Sequence, residues 1–173
     1  MTGKRSLNVS ALCLCLVMTG VLLMTSWGGA EEKKGKAEDK VRKAVYHCDF
    51  GDAKRFDGML RNIYNLVNYY TTKNIPYDVR IVANGACVQF LLKDKSGTRF
   101  AEKQIDEKLQ KSMDEMLTSL VDGYGVKVEQ CNITLQRTKI DKGKLKPFCT
   151  LTDSGQVRIV ELQDEGFAYI KVE

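Results

Sequence analysis

The chain has 173 residues, 43% of them hydrophobic and 28% charged, with a formal net charge of +5. That is the balance of an ordinary globular protein of about one domain. The 27 basic residues are interleaved with 22 acidic ones, which excludes the massed basic surface of a nucleic-acid-binding protein.

Residues 1–30 have the three parts of a secretory signal peptide. Lys4 and Arg5 form a positive start, residues 11–24 are apolar except for Thr19 and Gly20, and Gly28 and Ala30 are small residues before a cut at Glu31. The rival reading is an uncleaved N-terminal membrane anchor, but the apolar run is shorter than the ~20 residues of a spanning helix. Cys13 and Cys15 each follow a leucine, not the small residue of a lipoprotein cut, so both leave with the leader. The expected address is the periplasm or another exported location, with no membrane association after cleavage.

Residues 31–42 are charged, lack aromatic side chains and read as a tether. The domain proper is expected over residues 43–173. Residues 44–48 form a short apolar run ending in Asp49-Phe50-Gly51-Asp52, a strand and a turn. Asp52 can cap the helix that follows. In that helix Phe56, Met59, Leu60, Ile63, Leu66, Val67 and Tyr70 recur at helical spacing, and Pro76 blocks its continuation. Residues 79–83 are a second strand closed by Asn84-Gly85, and residues 86–92 read as a short helix. A long amphipathic helix is expected over 104–121 and a third strand over 126–131. A helix or helical turn follows at 134–145, then a short strand at 150–151. Residues 157–162 read as a strand, and 167–172 as a closing one.

Strand and helix alternate through most of the domain. This predicts an α/β fold, a three-layer α/β/α sandwich on a parallel or mostly parallel sheet of about five strands. In such sheets the reactive site lies beyond the carboxyl ends of the strands.

Four cysteines remain after the leader: Cys48, Cys87, Cys131 and Cys149. In an oxidising compartment they allow three disulfide connectivities. Cys48 ends the first strand, Cys87 lies just past the second, and Cys131 ends the third. Three thiols therefore gather at the edge where function is expected, where helix N-termini favour thiolate. Each can equally be core filling or half of a structural disulfide, and Cys149, in a connecting segment after Pro147, most of all. His47, the sole histidine, neighbours Cys48, but strand alternation sends the two side chains to opposite faces. No CxxC or HxxxH ligand pair is present, nor any P-loop, GxGxxG, GxSxG or HExxH motif, so no metal and no cofactor is expected. Asn132-Ile133-Thr134 fits the glycosylation pattern, which matters only in a eukaryotic secretory pathway.

Over residues 43–172 the sequence resembles the DsrE/DsrF-like proteins, the sulfur-relay family that includes the TusD-type subunits. AVYHCDFGDAKRF is similar to the family's opening strand and Gly-Asp turn, and LRNIYNLVNYY to its first helix. VRIVANGACVQFLL resembles the second strand and its continuation, and VKVEQCNITL the third, ending in the cysteine that carries sulfur in active members. SGQVRIVELQDEGFAYIKV resembles the closing segment of exported single-domain members. The resemblance implies a three-layer α/β domain assembled as a trimer or hexamer. It also implies that Cys131 takes up sulfur as a persulfide from a donor protein or small sulfur compound and hands it to an acceptor. Cys48 and Cys87 match no family motif, and either could be an accessory or resolving thiol for Cys131. Asn132 and Thr134 could supply nearby hydrogen-bond donors. Two functions of different class therefore stand. One is an exported sulfur carrier or sulfurtransferase-like protein. The other is a non-catalytic oligomeric binding or assembly module whose cysteines are structural, redox-active or metal-binding.

Overall fold

A computed structural model describes residues 40–173. The expected leader and nearly all of the charged tether lie outside the described residues. The first strand, β1 (Arg42–Cys48), leads through a turn to α1 (Ala53–Thr72). As expected, Asp52 caps this helix: its carboxylate accepts from the Arg55 N–H at 2.7 Å. Phe56, Met59, Leu60, Ile63 and Val67 form the buried stripe of α1.

The chain continues through β2 (Tyr77–Ala83), α2 (Glu107–Asp122), β3 (Lys127–Cys131) and α3 (Asn132–Thr138). It closes with β4 (Cys149–Thr152), α4 (Gly155–Asp164) and β5 (Ala168–Ile170). The five strands make one sheet in the order β4-β3-β2-β1-β5, and every pairing is parallel. Strands β1 to β4 step in one direction across the sheet, and β5 returns to the far side of β1. One face packs on α1 and α2 through the larger core, which holds Tyr46, Cys48, Ile81, Ala83, Met113 and Leu117. The other face packs on α4 through Val45, Val82, Ile159, Leu162 and Phe167. Helices thus cover both faces of the parallel sheet, the three-layer arrangement expected.

Three local expectations change. Residues 157–162 are not a strand but the body of α4. Ser154 caps it by accepting from the Val157 N–H. Ile159 and Leu162, three apart, are its buried pair, while Val157 and Val160 point outward, so the β-branched run follows a helical period. The expected helix over 134–145 stops after seven residues, where Lys139 takes up a left-handed conformation at φ 54°; a 3-10 turn, Lys142–Lys144, follows. Residues 86–92 are likewise a short 3-10 helix, Gly85–Phe90.

The face under α4 also carries an ionic cluster. Glu129, 8% exposed, accepts from Arg80 Nη1 at 2.9 Å and from Arg158 Nε at 2.7 Å. Arg80 is also held by Asp78 at 2.9 Å, and Arg158 by Glu161 and Glu165 at 3.2 and 3.0 Å. The cluster joins β2, β3 and α4, and so fixes where α4 begins.

Candidate functional site around Cys131

Cys131 is the last residue of β3 and lies immediately before α3. The parallel register pairs His47 with Val82 and Val82 with Glu129, and likewise Cys48 with Ala83 and Ala83 with Gln130. Alternation then puts His47, Asn84 and Cys131 on the α4 side of the sheet and Cys48 on the side of α1 and α2.

The two thiols read either as possible resolving partners of Cys131 or as halves of a structural disulfide are bonded to each other. Cys48 and Cys87 form a disulfide with a Cα–Cα distance of 5.6 Å, and both are fully buried in the larger core. The sheet separates them from Cys131, and in this state neither is available to resolve it. Cys131 and Cys149 are free. Cys149 starts β4 opposite Val128, whereas Cys131 lies opposite Thr152 at the other end of that pairing.

Cys131 and Cys149 have opposite chemistry. Burial pushes Cys149 up to about 12, and nearby Lys146 offsets this only in part, so it stays a protonated, inert thiol. Burial also pushes Cys131 up, but the donor groups around its sulfur, the Gly155 and Thr134 N–H groups, the Thr134 hydroxyl and the Ile133 N–H, outweigh it. The balance leaves Cys131 below the ordinary thiol value. The Thr134 hydroxyl can serve this role because its oxygen accepts from the Gly85 N–H at 3.0 Å, which leaves its proton for the sulfur.

Gly155 is the first residue of α4, and the close approach of that helix favours a glycine. A Cβ there would lie 3.2 Å from the Cys131 Cβ and 3.4 Å from that of Asn84. Gly85 is constrained too: its φ is 53° and an added Cβ would meet the Asp49 carbonyl oxygen at 3.1 Å.

Cys131 opens on a cavity of about 480 Å³, lined also by Asn84, Gly85, Arg99, Thr134, Arg137 and Ser154 among others. Its lining contains two arginines and no carboxylate. His47, which faces away from Cys48 as expected, instead contacts Asn84: its Nε2 is 3.2 Å from Asn84 Oδ1. Its Nδ1 is 3.2 Å from the Tyr169 hydroxyl. Asn132, expected as a donor, is not among the groups acting on the sulfur. Sequence reasoning missed the roles of Gly155, Arg99 and Arg137. The Gly155 signal was present in Ser154-Gly155, a helix cap followed by a residue without Cβ. Among the described residues no group of three or more His, Cys, Asp or Glu side chains is placed to hold a metal.

This geometry predicts selective labelling. Iodoacetamide at neutral pH should modify Cys131 and spare Cys149. Thr134→Val should move the pH profile of Cys131 alkylation to higher pH and lower the neutral rate by a factor of roughly three or more, since thiolate is the reacting form. A profile unmoved by that substitution would remove the hydroxyl from the account.

A family model described as DsrE/DsrF-like family matches residues 50–172. An uncharacterized protein of Aquifex aeolicus (strain VF5) is 27% identical over 128 residues, which cover 74% of this chain and 55% of the relative; the chain spans little more than half that relative's length. Among solved structures, MTH1491 from Methanobacterium thermoautotrophicum, a protein of unknown function, is similar with a TM-score of 0.58 and 25% identity. That match covers 75% of this chain and 98% of the other. The ychN protein from E. coli shares the fold at a TM-score of 0.50 and 13% identity, over 76% of this chain and 99% of its own.

Proposed function

The chain belongs to the DsrE/DsrF-like family, and from that premise we propose that it is an exported sulfur carrier that holds sulfur as a persulfide on Cys131. The observation that carries this reading is the state of the Cys131 thiol. It is free, set at the carboxyl edge of the sheet, held below the ordinary thiol value and open to a cavity. Its thiolate attacks the outer sulfur of a donor, the donor's S–S bond breaks, and the departing group leaves with the electron pair. An acceptor thiolate later takes the outer sulfur from the persulfide and returns Cys131 as thiolate. These steps need a nucleophile and a lined cavity, both on one side of the sheet. The proposed location is the periplasm or another exported compartment, through the leader at residues 1–30.

Intact mass after exposure to inorganic polysulfide tests the reading. Wild type should gain sulfur, and Cys131→Ser should gain none. Sulfur retained by Cys131→Ser, or never acquired by wild type, would overturn it.

Two observations favour the second reading, an oligomeric assembly module. One is the Cys48–Cys87 disulfide. The other is the outer side of α4, where Val157 and Val160 are 56% and 57% exposed, apolar area of the kind that association between copies covers. The module alone gives no role to an activated free thiol in a cavity, so we place assembly, as a trimer or hexamer, beside sulfur transfer and not in its stead.

A further inference from the structure

We infer that the Cys131 cavity contains an oxyanion subsite, and that its sulfur donor is a small sulfur oxyanion bearing a sulfane sulfur, of which thiosulfate is the simplest. The inference rests on the reading of Cys131 as the sulfur-accepting nucleophile and adds what that nucleophile is built to meet. A thiolate repels anionic donors, so a cavity serving one must supply positive charge away from the sulfur. Arg99 and Arg137 both line the cavity with Cys131. Neither guanidinium is paired with a carboxylate among the described residues. The contrast with Arg80 and Arg158 is direct, since those two are committed to carboxylates on the same face of the sheet. Planar guanidinium groups bind tetrahedral oxyanions through paired N–H donors.

A third donor comes from Asn84. The Tyr169 hydroxyl donates to His47 Nδ1, and the His47 Nε2–H donates to Asn84 Oδ1, each over 3.2 Å. This tautomer follows from satisfying both contacts. With its oxygen occupied, Asn84 keeps its amide N–H groups as the free donors of a residue that lines the cavity. His47 and Tyr169 are therefore positioning residues, and the lone histidine acquires a role that the neighbouring Cys48 does not give it.

The reaction balances without a further reactant. The Cys131 thiolate bonds to the outer sulfur of thiosulfate, and the S–S bond of thiosulfate breaks. Sulfite leaves with the electron pair as the dianion, and the new persulfide carries the thiolate's negative charge. The arginines hold the sulfonate end in both the bound donor and the departing sulfite.

The test uses the purified protein with thiosulfate in one arm and inorganic polysulfide in the other, reading intact mass and released sulfite. Wild type should take one sulfur from thiosulfate and release one sulfite. The Arg99→Gln/Arg137→Gln double variant should lose about 30-fold or more in thiosulfate rate, as expected for two charge-assisted contacts. Its polysulfide loading should fall too, because polysulfide is also anionic, but by about tenfold less than the thiosulfate rate, since polysulfide has no sulfonate oxygens for the guanidinium groups to hold. An unchanged urea midpoint shows that the variant is folded, and an equal fall with both donors would mean charge steering alone and overturn the subsite. Tyr169→Phe, which frees His47 from its hydroxyl partner, should slow thiosulfate more than polysulfide. If polysulfide loads wild type and thiosulfate does not, or if the double variant takes thiosulfate at the wild-type rate, the oxyanion subsite is wrong and the carrier reading survives. If neither donor loads Cys131, both fall.

Discussion

Glu129→Ala should cost about 3 kcal/mol of unfolding free energy in urea denaturation, the usual penalty for breaking a buried ion pair from one side. Glu129 is 8% exposed and holds two arginines that are themselves mostly buried: the side chains of Arg80 and Arg158 are 16% and 19% exposed. Removing the carboxylate leaves two guanidinium groups close together under α4. Asp78 still serves Arg80, and Glu161 and Glu165 still serve Arg158. Those partners keep the loss below the several kcal/mol that each wholly uncompensated buried charge would cost.

The same substitution should reach Cys131 without touching it. Arg158 and Gly155 belong to the first turn of α4, and the Gly155 N–H is among the groups that hold the thiol down. A helix released from Glu129 holds that N–H less firmly, so the Cys131 alkylation profile should move to higher pH. Glu129→Gln keeps the shape and one acceptor and should lose less on both counts. A stability change below about 1 kcal/mol for Glu129→Ala would show that the cluster is solvated and structurally idle.

The elements most legible in the sequence are those fixed by local rules. The Asp52 cap and the seven apolar positions of α1 state a helix and its buried side without reference to any neighbour. Strands β1, β2 and β3 are apolar runs stopped by turn residues, and the all-parallel sheet follows from their alternation with helices. Helix α4 escaped because Val157, Ile159 and Val160 are β-branched and satisfy a strand's composition. Only the exposure of Val157 and Val160, set by what α4 packs against, separates the two periods.

The site divides in the same way. Cys131 is readable as a thiol at a strand end. Part of its activation comes from Ile133 and Thr134, next to it in the chain, and part from Gly155, 24 positions later in number, brought to it by the β3–β4 pairing and the ionic cluster. Arg99 and Arg137 are two cations among many in the sequence, and only the fold shows that they face one cavity. Cys48 and Cys87 share with Cys131 a place at the ends of strands, and that place marks the edge of the sheet but does not show which two of the thiols meet.

Removing the Cys48–Cys87 disulfide should cost about 4 kcal/mol, by the chain-entropy relation for a loop of its length. The bond joins residues 39 positions apart and lies wholly within the core of α1 and α2. Urea denaturation with and without reductant measures the loss, and the Cys48→Ala/Cys87→Ala variant should reproduce it. A change below about 1 kcal/mol would mean that the unfolded chain is not restrained by the bond. The disulfide also straps the 3-10 helix Gly85–Phe90 to the end of β1, where the Asn84 N–H donates to the Cys48 carbonyl at 2.9 Å. Asn84 and Gly85 are cavity wall, so its loss should loosen the wall while leaving the Cys131 sulfur untouched. The number of sulfur atoms that folded double variant accepts should therefore equal that of wild type, and only the rate should fall. This bears on the proposed export, because an oxidising compartment threatens any free thiol with capture by a nearby one. Here the two thiols at the same edge of the sheet are spent on each other behind the sheet, and the remaining one, Cys149, is protonated and lies toward the other end. A Cys131 persulfide would then have no partner within its own domain to discharge it, and its sulfur could wait for an acceptor from outside.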